Sequence, residues 1–425
     1  MSERRRSHRH GSEERRERGE HRRSRSRSHT AAPVLLSWQR LPAQRLFDTV
    51  ALGEAWDRLN AARGALPFLD TDVLRIAFEA FHPAGVELLV GNIAGQTQCM
   101  LLVQRTGLGR WQLYQPSQIP LGPLVAATNL PLDGIARSAL KALPFGTLVL
   151  SFTQLDPRHW PPPQTEPACV VKRYISTGWI DCTQNFDSYW AARSPNLRAS
   201  VGKAQRRLEA EGRTLRMRVL TEPADMAAAV ERYGVLETSG WKGRKGTAVT
   251  AGTPQGDFYR DWLQEAAAHG EARVYELLVS EPATEGGAPS PAATPSTTTA
   301  AGTAPAERTI AADLCVVRGD SLILLKIAYD EAFERYSPST LLRREFMQDL
   351  LGRGVAERSD HSDSQRDSQR VGQNDGQSHV RRVEFFGRLM DWHRRWTGEQ
   401  RSLYHLTTFR WRWLARLRAP ASDRL

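Results

Sequence analysis

The hydrophobic period of this chain changes at Ala272, and no other feature narrows its fold as far. From Ser194 to Ala268 apolar residues recur at helical spacing; from Ala272 they come first in short runs bounded by turns. Ser194 suits a helix cap and Pro195 a first helical position. Leu197, Val201, Ala204 and Leu208 then share one face, while Arg198, Lys203, Arg206 and Arg207 occupy the others. Met226, Val230 and Tyr233 mark a second helix from about Thr221, and Phe258, Trp262 and Ala266 a third over 257–268. Residues 272–279, 310–317 and 322–329 predict strands, the last two joined by the turn Arg318-Gly319-Asp320. The chain next passes through Tyr336-Ser337-Pro338 into a helix with Leu342, Phe346 and Leu350 spaced four apart. Residues 383–386 and 402–409 predict closing strands, and 409–417 a Trp-rich terminal helix or strand. Helices alternating with strands in this way predict a mixed α/β class.

The first half is less patterned. Residues 34–185 hold short apolar runs at 86–90, 99–103 and 147–152 and one expected helix over 46–63, again a mixed α/β pattern. Three segments cannot build a core. Residues 1–30 carry 11 Arg against 5 Glu, so +6 of the net +11 sits in a tail with no periodic apolar positions. That tail is expected to be disordered and able to touch a polyanion. Residues 281–307 are rich in Pro, Ala, Thr and Ser, and 357–379 in Ser, Asp, Gln and Arg; both read as insertions within a domain. No apolar run reaches the ~18 residues of a membrane span, and no apolar stretch follows the basic start as in a signal peptide. A cytoplasmic location is expected. Cys99, Cys169, Cys182 and Cys315 form no C-x-x-C pair, so neither a zinc site nor a disulfide framework is expected.

Three segments carry candidate chemistry. Where the strand ending at Tyr329 gives way to the helix at Pro338, free backbone N–H groups of a first helical turn suit a phosphate. Ser337, Ser339 and Thr340 add hydroxyls there, with Arg343 one turn on, although the same residues also make an ordinary helix start. In Glu237-Thr238-Ser239-Gly240-Trp241-Lys242-Gly243-Arg244-Lys245-Gly246, cations suited to an anion and a Trp suited to stacking follow a helix; a plain charged loop fits them equally. In residues 382–396, Glu384 or Asp391 suits a base and His393 titrates near neutrality, while Asp391 equally caps a short helix with Trp392 and Trp396 as core.

Taken in order, Glu237-x-x-Gly240-Trp241-Lys242-Gly243, then Lys326-Ile327-Ala328-Tyr329-Asp330-Glu331 with Tyr336-Ser337-Pro338-x-x-Leu341-Leu342, then Glu384-Phe385-x-Gly387-x-x-x-Asp391-Trp392, resemble the GNAT-type acetyltransferase domain of CelD-like cellulose-biosynthesis proteins. That group is related to Fem-type aminoacyltransferases. The resemblance covers 180–410 well and the preceding half more loosely. Ser339 stands where the family often has Gly, and the two insertions are long for it. The resemblance implies a tandem GNAT-like fold, with residues 31–185 as one α/β half and 186–418 as the acetyltransferase domain. It implies acetyl-CoA or another acyl-CoA as donor, held by Ser337, Ser339, Thr340, Leu341 and Arg343, with no metal. It implies acyl transfer to an amine or hydroxyl on a small-molecule or saccharide-linked acceptor in bacterial exopolysaccharide or cell-envelope metabolism. Glu237 or Asp330 would then take the proton, and Tyr329 or Tyr336 would protonate the leaving thiolate. Backbone N–H groups near Ala328–Tyr329 would hold the oxyanion, and Trp241, Lys242, Arg388, Asp391 and Trp392 the acceptor. An aminoacyl-tRNA donor, and a non-catalytic binding module of a polysaccharide system, remain open at this point.

Overall fold

The computed structural model describes residues 36–163, 167–239, 249–250, 252–280, 307–360 and 380–418. Trp241 and Lys242 lie outside them, as do the tail 1–30 and most of both insertions.

Among the described residues, thirteen strands join one mixed sheet. The chain up to Asp181 gives β1 (Ser37–Pro42), β2 (Val86–Ile93), β3 (Gln96–Gly107), β4 (Arg110–Leu113), β5 (Leu124–Ala126), β6 (Val149–Leu155) and β7 (Cys169–Asp181). The rest gives β8 (Leu215–Leu220), β9 (Ala272–Ser280), β10 (Glu307–Arg318), β11 (Ser321–Tyr329), β12 (Arg382–Glu384) and β13 (Gln400–Phe409). The order across the sheet is β1-β2-β3-β4-β6-β13-β7-β12-β11-β10-β9-β8, with β5 added beside β3. The class is mixed α/β, as the sequence predicts.

That order is nearly palindromic. Each half is an antiparallel run of four strands followed by one parallel neighbour: β6 beside β4 in the first, β12 beside β11 in the second. The last strands then change sides. β13 pairs with β6 of the first half, and β7 pairs with β12 of the second. β7 and β13 pair with each other along Cys169–Gly178, which closes the seam. Each half thus depends on a strand from the other.

The helices are α1 (Arg45–Asp48), α2 (Val50–Ala62), α3 (Thr71–Phe81), α4 (Leu132–Ala142), α5 (Phe186–Ala191) and α6 (Pro195–Ala210). They continue with α7 (Pro223–Ser239), α8 (Pro254–Ala268), α9 (Pro338–Asp360), α10 (Asp391–Arg394) and α11 (Arg412–Arg418). α6 starts as its sequence dictates: Ser194 Oγ accepts from Leu197 N at 3.2 Å, and Leu197, Val201, Ala204 and Leu208 are buried. Strand β8 separates α6 from α7, where the sequence alone suggests two helices in succession.

Two apolar clusters cover the faces of the sheet. One joins Trp56, Phe68 and Leu74 of the first half to Tyr233, Phe258 and Trp262 of α7 and α8. Phe81 and Phe258 meet across it with ring centroids 5.4 Å apart. The other lies under α5, α6 and α9 and includes Leu197, Leu208, Tyr275, Leu342 and Phe346. The first cluster is shared between the halves, and both cavities described below lie along the seam.

Candidate functional site

Strands β11 and β12 run parallel and pair only at Ser321–Ile323 with Arg382–Glu384. They then part. The chain after β12 follows β7, with Phe385 N bonded to Gly178 O at 3.2 Å and Leu389 N to Ser176 O at 2.7 Å. β11 continues alongside β10 to Tyr329. Where they part, β11 carries a bulge: Leu314 faces Lys326 and Cys315 faces Leu324, so Leu325 has no ladder partner. Beyond the bulge, Asp330 N donates to Ile310 O on the β10 side at 2.9 Å. Strand alternation then turns the N–H groups of Ile327 and Tyr329 toward the open edge. The Ile327 carbonyl on that edge lies 3.0 Å from the Tyr233 hydroxyl.

A cavity of about 290 Å³ opens at this parting. Leu324 and Lys326 line one wall, Phe386 and Arg388 another, and Gln118, Gln154 and Tyr174 come from the first half. No Asp or Glu is among its described lining residues, so Lys326 and Arg388 give it a positive lining. Two more irregularities point at it. Gln154, at φ +50°, lies where β6 has an extra residue opposite His405, and Tyr174 with Ile175 lies in a register shift of β7. Phe386, at φ +48°, is a further non-glycine residue of the lining placed irregularly.

The first half has the matching parting, with β4 and β6 paired only at Arg110–Gln112 and Val149–Ser151. There the space is filled by the chain itself. Segment 115–122 folds into it, tied by Gln115 Nε2 to Ile119 O at 3.1 Å and by Thr153 Oγ1 to Gln115 Oε1 at 2.7 Å. Gly122 sits so tightly that a Cβ would lie 2.5 Å from both Thr153 O and Leu113 Cδ1.

The start of α9 is built as follows. Asp330 caps the 3-10 turn Glu331–Tyr336 by accepting from Ala332 N at 2.9 Å. Ser337 adopts a left-handed conformation, φ +51°, and its carbonyl accepts from Thr340 N at 2.9 Å and Leu341 N at 3.1 Å. Ser339 Oγ is buried with no hydrogen-bond partner among the described residues. Leu341 is core. Arg343 is turned inward and buried, its Nη2 2.8 Å from Asp313 Oδ2 of β10. That contact is a charge pair outside hydrogen-bond angles, and Arg343 Nε and Nη1 have no hydrogen-bond partner among the described residues. Burial pushes the Asp313 carboxyl up to about 6 despite Arg343 beside it.

The acid and base candidates are spread along these elements. Glu237, buried at the end of α7, has Oε1 3.0 Å from the Tyr233 hydroxyl, and its Oε2 accepts from Val249 N at 2.6 Å. Asp330 is occupied by its cap and by Arg308. Tyr336 bonds through its hydroxyl to Glu211, with Arg335 alongside. Tyr329 is half-buried at the end of β11; burial first, then Glu334 and Glu331, raise its phenol above the ordinary value. Arg388 lines the cavity, whereas Asp391 is exposed on α10 and Trp392 packs against Phe385 at 5.7 Å, on the α9 side. His393 is buried against Trp392; burial first of all lowers it to about 4, and its Nδ1 accepts from Met390 N at 2.8 Å. The first-half contributions, Gln118, Gln154 and Tyr174, carry no local sequence signal, because only strand pairing over long separations brings them here.

A second cavity, about 360 Å³, lies by the paired ends of β11 and β12 and is lined by Arg158, His159, Arg318, Asp320 and Glu384 among others. Beside it Arg401 bridges two buried carboxylates, Asp156 through Nε at 2.8 Å and Glu384 through Nη1 at 2.8 Å. Burial raises the Glu384 carboxyl while Arg401 opposes that rise.

Residues 195–283 and 297–360 match the family model of the GNAT acetyltransferase domain. The matched residues include α7, β11 and the start of α9, and are similar to a domain of that type. Three solved structures are similar to the chain at low identity. A tandem GNAT protein from the clavulanic acid biosynthesis pathway is 12% identical, with 89% of this chain and 99% of that one covered and a TM-score of 0.41. FemX is 9% identical, with 86% and 98% covered and a TM-score of 0.47. L-PGS from Bacillus licheniformis is 13% identical, with 74% and 81% covered and a TM-score of 0.37. Among curated protein sequences there is no match to this chain. Among the described residues no helix is long and apolar enough to cross a membrane, and no group of His, Cys, Asp or Glu is placed to hold a metal ion.

Proposed function

We propose that this chain transfers an acyl group from a coenzyme A thioester, held between the parted ends of β11 and β12, to an amine acceptor in the 290 Å³ cavity. The observation that carries the reading is the parting at the Leu325 bulge, which leaves an open strand edge beside a cavity. The N–H of Tyr329 or Ile327 on that edge is the donor for the carbonyl oxygen as it gains charge. The first turn of α9 meets the donor's phosphates through the Ser339 N–H, since Thr340 N and Leu341 N donate to the Ser337 carbonyl and Pro338 has no N–H.

Glu237 and Asp330 both serve the structure through their oxygens, so neither is the favoured base. The lining cations hold an acceptor amine in its neutral form, and water accepts the proton lost on attack. Tyr329, with its phenol held protonated, is the favoured acid for the leaving thiolate. In this reading residues 31–185 are a scaffold half whose own parting is filled, and residues 186–418 hold the donor. The CelD-like motifs support an acceptor from exopolysaccharide or cell-envelope metabolism.

The test is thermal stabilisation by a panel of acyl-CoA thioesters at low and moderate salt, followed by thiol release with candidate acceptors. A salt-tolerant rise in Tm with one thioester supports the reading. No rise with any thioester, together with salt-sensitive stabilisation by an aminoacyl-tRNA, replaces the donor.

A further inference from the structure

The C-terminal end of the described chain presents a surface that acyl transfer does not use. α11 follows β13 directly, and Ala415 is its buried anchor. Trp411, Trp413 and Leu417 point outward, 42%, 57% and 76% exposed, and the two indoles stack with centroids 6.2 Å apart. The loop after α4 adds Phe145, 83% exposed. Arg410 holds this loop and the start of the helical segment together. Its guanidinium donates to the carbonyls of Leu140 at 2.9 Å and Pro144 at 3.3 Å, and lies 5.7 Å from the Phe145 ring. Four large apolar side chains from two separate elements therefore share one outer surface. Singly exposed apolar residues need no explanation, but a cluster does.

Basic residues cluster beside it in sequence. Arg410, Arg412, Arg416 and Arg418 lie in a stretch, 410–422, that contains no Asp or Glu. Arg412 and Arg416 are exposed, and Lys141 is exposed at the end of α4, four residues before Phe145. Indoles favour the boundary between water and acyl chains, Leu and Phe favour the acyl side, and Arg favours anionic headgroups. Such a set of residues on an outward face is what a surface-lying segment needs. We infer that α11 and the 144–146 loop dock this protein on an anionic phospholipid surface. Single-stranded nucleic acid would use the cations and the indoles but leaves Phe145 and Leu417 without a role, and a second copy of the same face would set Arg against Arg.

The experiment is flotation of the full chain with vesicles of phosphatidylglycerol and phosphatidylcholine, or of phosphatidylcholine alone, at about 0.1 M salt. The expected result is binding to the anionic vesicles, weaker by about tenfold or more on the neutral ones. Trp411→Ala with Trp413→Ala, and separately Arg412→Gln with Arg416→Gln, should each weaken it by about tenfold while leaving Tm unchanged, since these side chains are exposed. The Arg-rich segment 1–30 carries charge of its own. Binding that survives both pairs of substitutions would belong to that segment and would overturn the inference. So would an absence of vesicle binding, or loss by the Trp variant of affinity for an oligonucleotide or for a second copy in place of vesicles.

Discussion

Arg343 separates two accounts of α9. Its place one turn into a helix suggests a cation for the donor's phosphates; the structure instead buries it against Asp313. Consider Arg343→Met, which keeps the volume and removes the charge. Asp313 then sits buried with its partner gone, and losing one member of such a pair costs about 3–5 kcal/mol. The cost depends on pH. The folded carboxyl titrates at about 6, above its ordinary value, so the folded state binds the proton more tightly than the unfolded one. Asp313 therefore favours folding below the unfolded value near 4, and that contribution is lost as pH rises through about 6. Over that window the parent loses about 3 kcal/mol from this one group. Without Arg343 the folded value rises further, because the charge that opposes the effect of burial is gone. The penalty should thus be small at pH 5 and approach about 3–5 kcal/mol by pH 8, read from urea melts at both values. Adding Asp313→Leu should recover most of it. An equal penalty at both pH values would refute this account. So would an unchanged stability with weakened acyl-CoA affinity, because the guanidinium would then reach the donor.

Three further outcomes follow from the same contacts. Gly122→Val should lower stability by about 1–3 kcal/mol in a denaturant melt, because the new Cβ meets the Thr153 carbonyl, which is backbone and cannot swing aside. Asp156→Asn should cost about 3 kcal/mol at neutral pH and lower Tm, since buried Arg401 keeps only Glu384; an unchanged Tm would mean that the seam does not depend on that pair. The His393 ring signals in NMR should stay constant from pH 7 to pH 5, because its lowered value of about 4 keeps it neutral there, and a midpoint near 6.5 would show that the ring is not buried.

What the sequence disclosed depended on how local the cause was. The cap at Ser194, the four-residue spacing on α6, the turn at Gly319 and strands β9 to β11 are each set by neighbours within a few positions, and all were legible. β8 was not. It is a six-residue outer strand whose residues are only partly covered; Leu215, Met217 and Val219 do alternate with Arg216 and Arg218, but over too few positions to stand out between two helices, and Arg218 pairs with buried Glu276. α3 and α4 escaped as well, as eleven-residue helices in a stretch read mainly for its strands.

Arg343 shows the same limit from the other side. A cation early in a helix after a strand looks like a ligand for phosphate, and only its partner says otherwise. That partner was in view, because Asp313 interrupts the apolar run from Ile310 to Val317, and a lone carboxylate in such a run requires a buried cation or a proton. Which cation it meets is decided by the crossover from β11 to α9, thirty residues later. The candidate site carries this dependence to its end. Lys326 and Arg388 come from motifs the sequence offered, but their cavity exists because Gln118, Gln154 and Tyr174 close it. Gln154 and Tyr174 lie on strands that pair with β13 across the exchange, joining residues more than two hundred positions apart, and Gln118 lies on the segment that fills the first half's parting. An exchange of final strands leaves no local trace, yet it explains why the site lies at the seam. The filled parting at Gly122 leaves the first half with walls to lend and, among the described residues, no cleft of its own.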